Sequence, residues 1–189
     1  MDKGTFVRKF KLHTLEASLH EFRYPRSVKE AAVLIPLIEV NRQLSVILTR
    51  RATHLKHHAG QISFPGGKVE PSDLSATDTA LREAEEEIGL VQAHVQTLGQ
   101  LKPYHTITGY NVIPIVGLVD NQTSFNIDEN EVAEMFTVPL SHFIDKDNHT
   151  KVATYHKGNK HHVYFMPYQN HNIWGATAAM LADLVAHID

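Results

Sequence analysis

Four glutamates fall within five positions, Glu83, Glu85, Glu86 and Glu87. At ~100° per residue of helix, Glu83, Glu86 and Glu87 share one face and Glu85 points elsewhere. Like charges at this spacing cost a few tenths of a kcal/mol per pair, roughly. They also sit in the later half of the helix, where the macrodipole disfavours anions. The arrangement is therefore unfavourable locally unless a cation binds there. Three convergent carboxylates are hard oxygen ligands of the kind Mg²⁺ or Mn²⁺ takes. The competing explanation is a solvated acidic face. Gly66-Gly67, just upstream, favours the metal: glycines let a backbone turn tightly or approach a ligand closely.

These side chains need elements to hold them. Residues 75–89 read as a helix, with Thr77, Leu81, Ala84 and Ile88 as its buried stripe and Gly89 as its C-cap. "AAVLIPLIEV" (31–40) and "LSVILTR" (44–50) read as strands of a hairpin. A histidine-rich loop follows, then a short strand "QISF" and a break at Pro65-Gly66-Gly67. "VQTLGQL" and "YNVIPIVGLV" are further strands, and 128–143 mixes loop and helix signals. "KVATYH" and "HHVYFMPY" form a second hairpin around "KGNK". Helices are expected near 5–20 and 173–188. No repeat or linker is visible, so one α/β (α+β) domain over 1–189 with a mixed sheet is expected, its core at about 30–182.

Composition narrows the function. The 189 residues are 42% hydrophobic and 21% charged, as in a globular protein. A net charge of −3 gives no electrostatic reason for a nucleic-acid partner. There is no cysteine, hence no thiolate zinc site and no cysteine nucleophile. That suits a cytoplasmic location, and no signal-peptide or spanning pattern argues for a membrane. Of the 14 histidines, His54 and His57 have a ligand-like spacing but no third ligand fixed by sequence. His57 or His58 could instead donate hydrogen bonds to a substrate.

The segment Arg82-Glu83-Ala84-Glu85-Glu86-Glu87-Ile88-Gly89-Leu90 resembles the second half of the Nudix box, Arg-Glu-apolar-x-Glu-Glu-x-Gly-apolar. In the first half, Asp73 stands where a glutamate is usual, and one extra residue separates it from Arg82; Glu70 is the alternative acid. Residues 47–67, "ILTRRATHLKHHAGQISFPGG", resemble the signature of the coenzyme A pyrophosphatase branch. Thr49, Arg51, Ala52, Gly60, Phe64, Pro65, Gly66 and Gly67 match. Ile47 replaces a leucine, and Lys56 replaces an arginine, keeping the charge and losing the fork. Segments 130–140 and 173–181 are also similar to the family.

The resemblance implies an α/β/α sandwich with a central mixed sheet. It implies hydrolysis of the diphosphate of coenzyme A or a derivative to 3′,5′-ADP and 4′-phosphopantetheine. It assigns Glu83 and Glu87 as metal ligands, Glu86 as a third ligand or supporting carboxylate, and Mg²⁺ or Mn²⁺ as the cofactor. Arg82 is expected to hold glutamates in place. Glu131 and Glu134 are the candidates for general base. Arg51, Lys56, Gly66 and Gly67 are the candidates for substrate binding. Tyr104, Tyr110 and Tyr168 are weaker candidates for stacking, since such aromatics more often belong to the core. Rival readings are another Nudix substrate (ADP-ribose, NADH or a dinucleoside polyphosphate) and a non-catalytic nucleotide-sensing module. The partner is a small nucleotide, and the sequence leaves room for a homodimer.

Overall fold

The computed structural model describes residues 1–13, 29–156 and 159–189. Strand β1 (Lys29–Val40) runs through the middle of the sheet. It is joined to β2 (Gln43–Arg51) by Asn41 and Arg42, both at positive φ (50° and 62°), as a two-residue hairpin turn requires. The chain continues through β3 (Ile62–Ser63), β4 (Gly66–Lys68) and helix α2 (Ala76–Ile88). Next come β5 (Val95–Gln100), β6 (Tyr104–His105), β7 (Tyr110–Val119) and β8 (Val132–Pro139). Helix α3 (Leu140–Ile144), the hairpin β9 (Thr150–His156) and β10 (Asn159–Phe165), and helix α4 (Gly175–Ile188) complete it. Helix α1 (Lys3–Leu12) comes first, capped by the Asp2 carboxylate on Thr5 N–H. The rest of the helix expected over 5–20, from residue 14 onward, lies outside the described residues, as do Lys157 and Gly158 of the expected "KGNK" turn.

The sheet is mixed. β1 and β7 pair in parallel from Lys29–Tyr110 to Ile38–Val119, and the other pairings are antiparallel. The other edge of β1 is shared: β4 takes Ala31–Val33 and β2 takes Leu37–Val40. β2 pairs with β8 from Ser45 to Arg51 and, at its far end, with β3 at Thr49 and Arg50.

Side chains alternate along β1 as strand geometry demands. Ala32 and Leu34 pack with Ile47, Ile115 and the α2 residues Ala80, Leu81, Ala84 and Ile88. Ala31, Ile35 and Leu37 face the other way, toward Phe6 and Phe10 of α1 and Leu181 and Leu184 of α4. Helices therefore cover both faces, giving an α/β/α sandwich. Burial of Leu81 and Ile88 holds α2 with about 1.5–3 kcal/mol each.

Two expectations need correction. Gly66-Gly67 is not a loop but strand β4. A Cβ at Gly66 would lie 2.5 Å from the Ala32 carbonyl oxygen and 2.6 Å from Val33 Cα, so glycine is what lets β4 lie against β1. Residues 132–139 form β8 rather than helix and loop, and helix begins only at Leu140. No described helix is long and apolar enough to cross a membrane.

Candidate active site

Helix α2 begins and ends on side-chain and backbone chemistry that fixes its rotation. Ser75 caps it, its Oγ accepting from Asp78 N–H at 3.2 Å and donating to the Asp78 carboxylate at 3.0 Å. Gly89, at φ 66°, ends it and donates to the Glu85 carbonyl, while Leu90 N–H returns to Ala84. The final carbonyls are covered by the following loop: Asn126 N–H donates to Ile88 and Asp128 N–H to Glu87, at 3.0 Å each. That loop carries the chain to Glu131, whose carbonyl accepts from Ala52 N–H at 2.8 Å. The end of α2, the end of β2 and the start of β8 are thus tied together by backbone bonds.

The four glutamates have four different environments. Glu85 and Glu86 are exposed. Glu83 is half-buried and lies against Gly67, where a Cβ would collide with its carboxylate. Glu87 is only 2% exposed, and its Oε2 is buried without a hydrogen-bond partner. Burial pushes the Glu87 carboxyl up to about 8; Arg51 and the Gly66 N–H pull it down, and Glu83 and Glu131 push it further up. Burial also raises Glu83, against the pull of Arg82. The expected stripe is confirmed for Leu81, Ala84 and Ile88, whereas Thr77 is only half-buried and Thr79, Ala80 and Glu87 join the buried set.

Arg82 organises the remainder. It grips Asp73 with two bonds, Nε to Oδ1 at 3.0 Å and Nη2 to Oδ2 at 3.1 Å. Its Nη1 lies 3.0 Å from both Glu83 Oε1 and Glu86 Oε2. Its Nη2 also reaches the Lys68 carbonyl at 3.2 Å, tying α2 to β4. Asp73 is held below the usual carboxylate range by Arg82 first, then by the Glu70 N–H, with the Thr79 hydroxyl adding to them. Of the two acids Asp73 pairs with the helix, and Glu70 is exposed and contributes only backbone: its N–H donates to the Asp73 carboxylate and its carbonyl accepts from Asp73 N–H. The extra residue in the spacer is absorbed by the turn between β4 and α2.

Arg51 approaches from the other side. Its Nη1 is 3.5 Å from Glu87 Oε1. β8 bulges here: Arg50 lies opposite Glu134 and Arg51 opposite Val132, which leaves Ala133 of β8 unpaired. Consecutive arginines of a strand serve opposite faces: Arg51 meets the α2 face and Arg50 pairs with Glu134 at 2.8 Å. Glu134 also meets His171 Nε2 at 3.1 Å. Of the two candidate bases, the structure places Glu131 within electrostatic reach of Glu83 and Glu87 and turns Glu134 to the opposite face. Lys56 is exposed on the 52–61 loop, as are His54, His57 and His58. Tyr104, Tyr110 and Tyr168 are half-buried against the core beside α1 and α4. Sequence reasoning passed over Arg50 and His171. Strand alternation was a usable signal for Arg50; His171 lies 37 residues from Glu134, and nothing in the spacing marks it.

The carboxylates suit a divalent cation. Glu87 presents a buried oxygen with no donor, and Glu83 and Glu86 already share one cationic nitrogen of Arg82. Among the described residues, no three carboxylate or imidazole groups yet converge closely enough to ring an ion. Glu86 is the exposed one of the three, held only by Arg82.

A NUDIX domain model matches residues 28–158. Over 186 residues the chain is 39% identical to "Uncharacterized Nudix hydrolase NudL" of Yersinia pestis (strain Pestoides F), covering 97% of this chain and 93% of that protein. The counterpart from Yersinia pseudotuberculosis serotype O:1b matches to the same extent. Among solved structures, a NUDIX hydrolase from Alicyclobacillus acidocaldarius superposes with a TM-score of 0.58 at 18% identity, covering 86% of this chain and 93% of that one. An Ap4A hydrolase from C. elegans gives 0.51 at 18% identity over 62% of this chain and 84% of its own. These structural likenesses concern the fold.

Proposed function

The chain belongs to the Nudix family, and on that premise we propose that it hydrolyses the diphosphate of coenzyme A or a derivative to 3′,5′-ADP and 4′-phosphopantetheine, using Mg²⁺ or Mn²⁺. One observation carries the substrate assignment. Arg51, from the 47–67 segment that resembles the coenzyme A pyrophosphatase signature, reaches Glu87 of the Nudix helix at 3.5 Å. The substrate-type segment and the diphosphate-cleaving segment thus meet at one carboxylate.

Glu83, Glu87 and Glu86 are the residues that would hold the metal. When bound, it neutralises diphosphate oxygens and supplies an activated water. Glu131 would be the group to accept a proton from the attacking water, since it lies within electrostatic reach of the same carboxylates from the loop before β8. Arg51 has guanidinium donors beyond the one near Glu87, and a diphosphate oxygen is a matching acceptor. Arg82 spends its donors on Asp73, Glu83, Glu86 and Lys68, so its role is to set the spacing of the ligands. Gly66 and Gly67 act by being small: one lets β4 close on β1, and the other leaves room for the Glu83 carboxylate.

The test is a product analysis with coenzyme A, ADP-ribose, NADH and diadenosine polyphosphates in parallel, with Mg²⁺ or Mn²⁺. Release of 3′,5′-ADP from coenzyme A as the fastest reaction, lost in Glu83→Gln and Glu87→Gln proteins that remain folded, is expected. Faster cleavage of another diphosphate would overturn the substrate assignment. No cleavage of any would overturn the enzymatic reading.

A further inference from the structure

We infer that Glu134 is a positioning residue: with Arg50 and His171 it clamps the register of β2 and β8 at the bulge that delivers Arg51 and Glu131 to the acidic site. The inference rests on the functional reading above for its catalytic consequence, though not for its structural one.

A β-bulge loses ladder hydrogen bonds and leaves a residue unpaired, so register there depends on neighbouring side chains. In β8 the unpaired residue is Ala133, between Val132 opposite Arg51 and Glu134 opposite Arg50. Ala133 is exposed and has no packing of its own to hold it. The first regular pair after the bulge is Arg50–Glu134, bonded across the strands at 2.8 Å. A slip of β8 by one residue would turn Glu134 to the α2 face and carry Glu131 away from Ala52 N–H.

His171 secures the clamp from outside the sheet. Its ring stacks on Phe136, two residues along β8, with centroids 3.7 Å apart and planes 16° from parallel. It is 7% exposed, and its Nδ1 is buried without a hydrogen-bond partner. Its Nε2 lies 3.1 Å from Glu134 Oε1 and, facing a carboxylate, donates there. The loop that carries it is braced by reciprocal bonds between Tyr168 and His171 and by Met166 N–H on Ile173. Both Glu134 oxygens are thus occupied, one by Arg50 and one by His171, on the sheet face away from α2. A carboxylate so engaged holds strands; it does not take a proton from a water on the other face.

The experiment compares the wild type with Glu134→Gln, His171→Phe and Glu131→Gln. A glutamine can accept at only one end, so Arg50 or His171 loses its acceptor. Phenylalanine keeps the stack on Phe136 and removes the donor, and it serves where Glu134→Gln is too unstable. The first readout needs no substrate: amide hydrogen exchange in the free protein. Exchange at Ala52 N–H is expected to accelerate about tenfold in Glu134→Gln and His171→Phe, with β5 and β7 unchanged. Unchanged protection at Ala52 in both variants overturns the clamp, whatever the substrate proves to be. The second readout is kcat against pH on whichever diphosphate the wild type cleaves. Glu134→Gln is expected to lower kcat roughly tenfold to a hundredfold while keeping the acid limb. Loss of that limb in Glu134→Gln, with its retention in Glu131→Gln, makes Glu134 the base and overturns the inference. Failure to cleave any diphosphate counts against the proposed function and leaves the exchange result to decide the clamp.

Discussion

Replacing Glu87 by glutamine should stabilise the metal-free protein at alkaline pH while abolishing its activity. Glu87 is 2% exposed, and burial raises its carboxyl from 4.5 to about 8. A group whose folded value is raised favours folding in its protonated form. Its contribution is fully present below the unfolded value and is lost as pH rises through the folded one. The window therefore runs from about 4.5 to about 8. Across it the wild type loses up to about 5 kcal/mol relative to a variant that cannot ionise there, a ceiling that water entering the charged site reduces. Glutamine has the same shape and stays neutral. Urea denaturation of both proteins in a chelator, from pH 5 to pH 9, measures the difference, in which titrating groups remote from Glu87 cancel. The wild-type curve should fall away from that of Glu87→Gln with a slope near 1.4 kcal/mol per pH unit at its steepest, roughly. Excess Mg²⁺ should close the gap for the wild type alone, since a cation stabilises the ionised carboxylate. Parallel curves in the chelator would refute the claim that Glu87 is a carboxylate lacking its cation.

The adjacent glycines should fail in different ways. Gly66→Ala drives a Cβ against the backbone of Ala32 and Val33, and thermal denaturation should show a loss of about 2–3 kcal/mol. Gly67→Ala meets only the mobile end of Glu83, so stability should change by less than ~1 kcal/mol, while Mn²⁺ affinity measured by calorimetry falls at least tenfold. Asp73→Asn removes the two-bond partner of Arg82 and should cost about 2 kcal/mol at neutral pH. Because Arg82 holds Asp73 below its usual range, the wild type's advantage should be present above pH 3.8 and shrink as pH falls, which an acid titration followed by circular dichroism would show.

Elements with local signals were legible in the sequence, and elements made by distant partners were not. Helix α2 announced itself through periodicity, Ser75 and Gly89, and the Asn41-Arg42 hairpin through two runs of strand formers. β4 did not, because Gly66-Gly67 has the composition of a turn. It is a strand only since β1, thirty-odd residues earlier, offers a free edge at Ala31–Val33. β8 was obscured for a related reason. The bulge at Ala133 breaks the period of two, so Val132 and Met135 reach one face while Glu134 and Phe136 reach the other. A pattern of three between buried positions looks helical.

The same limit governed the site. The spacing of Glu83, Glu86 and Glu87 placed them on one helix face but could not rank them, because their differences come from what packs opposite. Glu86 has solvent and one nitrogen of Arg82, Glu83 has Arg82 and the space above Gly67, and Glu87 has the sheet. Arg82 and Arg51 together supply two positive charges to Asp73, Glu83, Glu86, Glu87 and the nearby Glu131. Five carboxyl groups against two guanidiniums leave a negative excess, most acute at Glu87, whose second oxygen touches no donor. At neutral pH with no metal bound, a proton on Glu87 offsets one charge of that excess. Proton and metal therefore compete for one buried carboxylate, and metal affinity should rise with pH up to about 8 and then level. Mn²⁺ titrations at pH 6, 7, 8 and 9 test this directly. An affinity independent of pH would place the metal elsewhere than on Glu87.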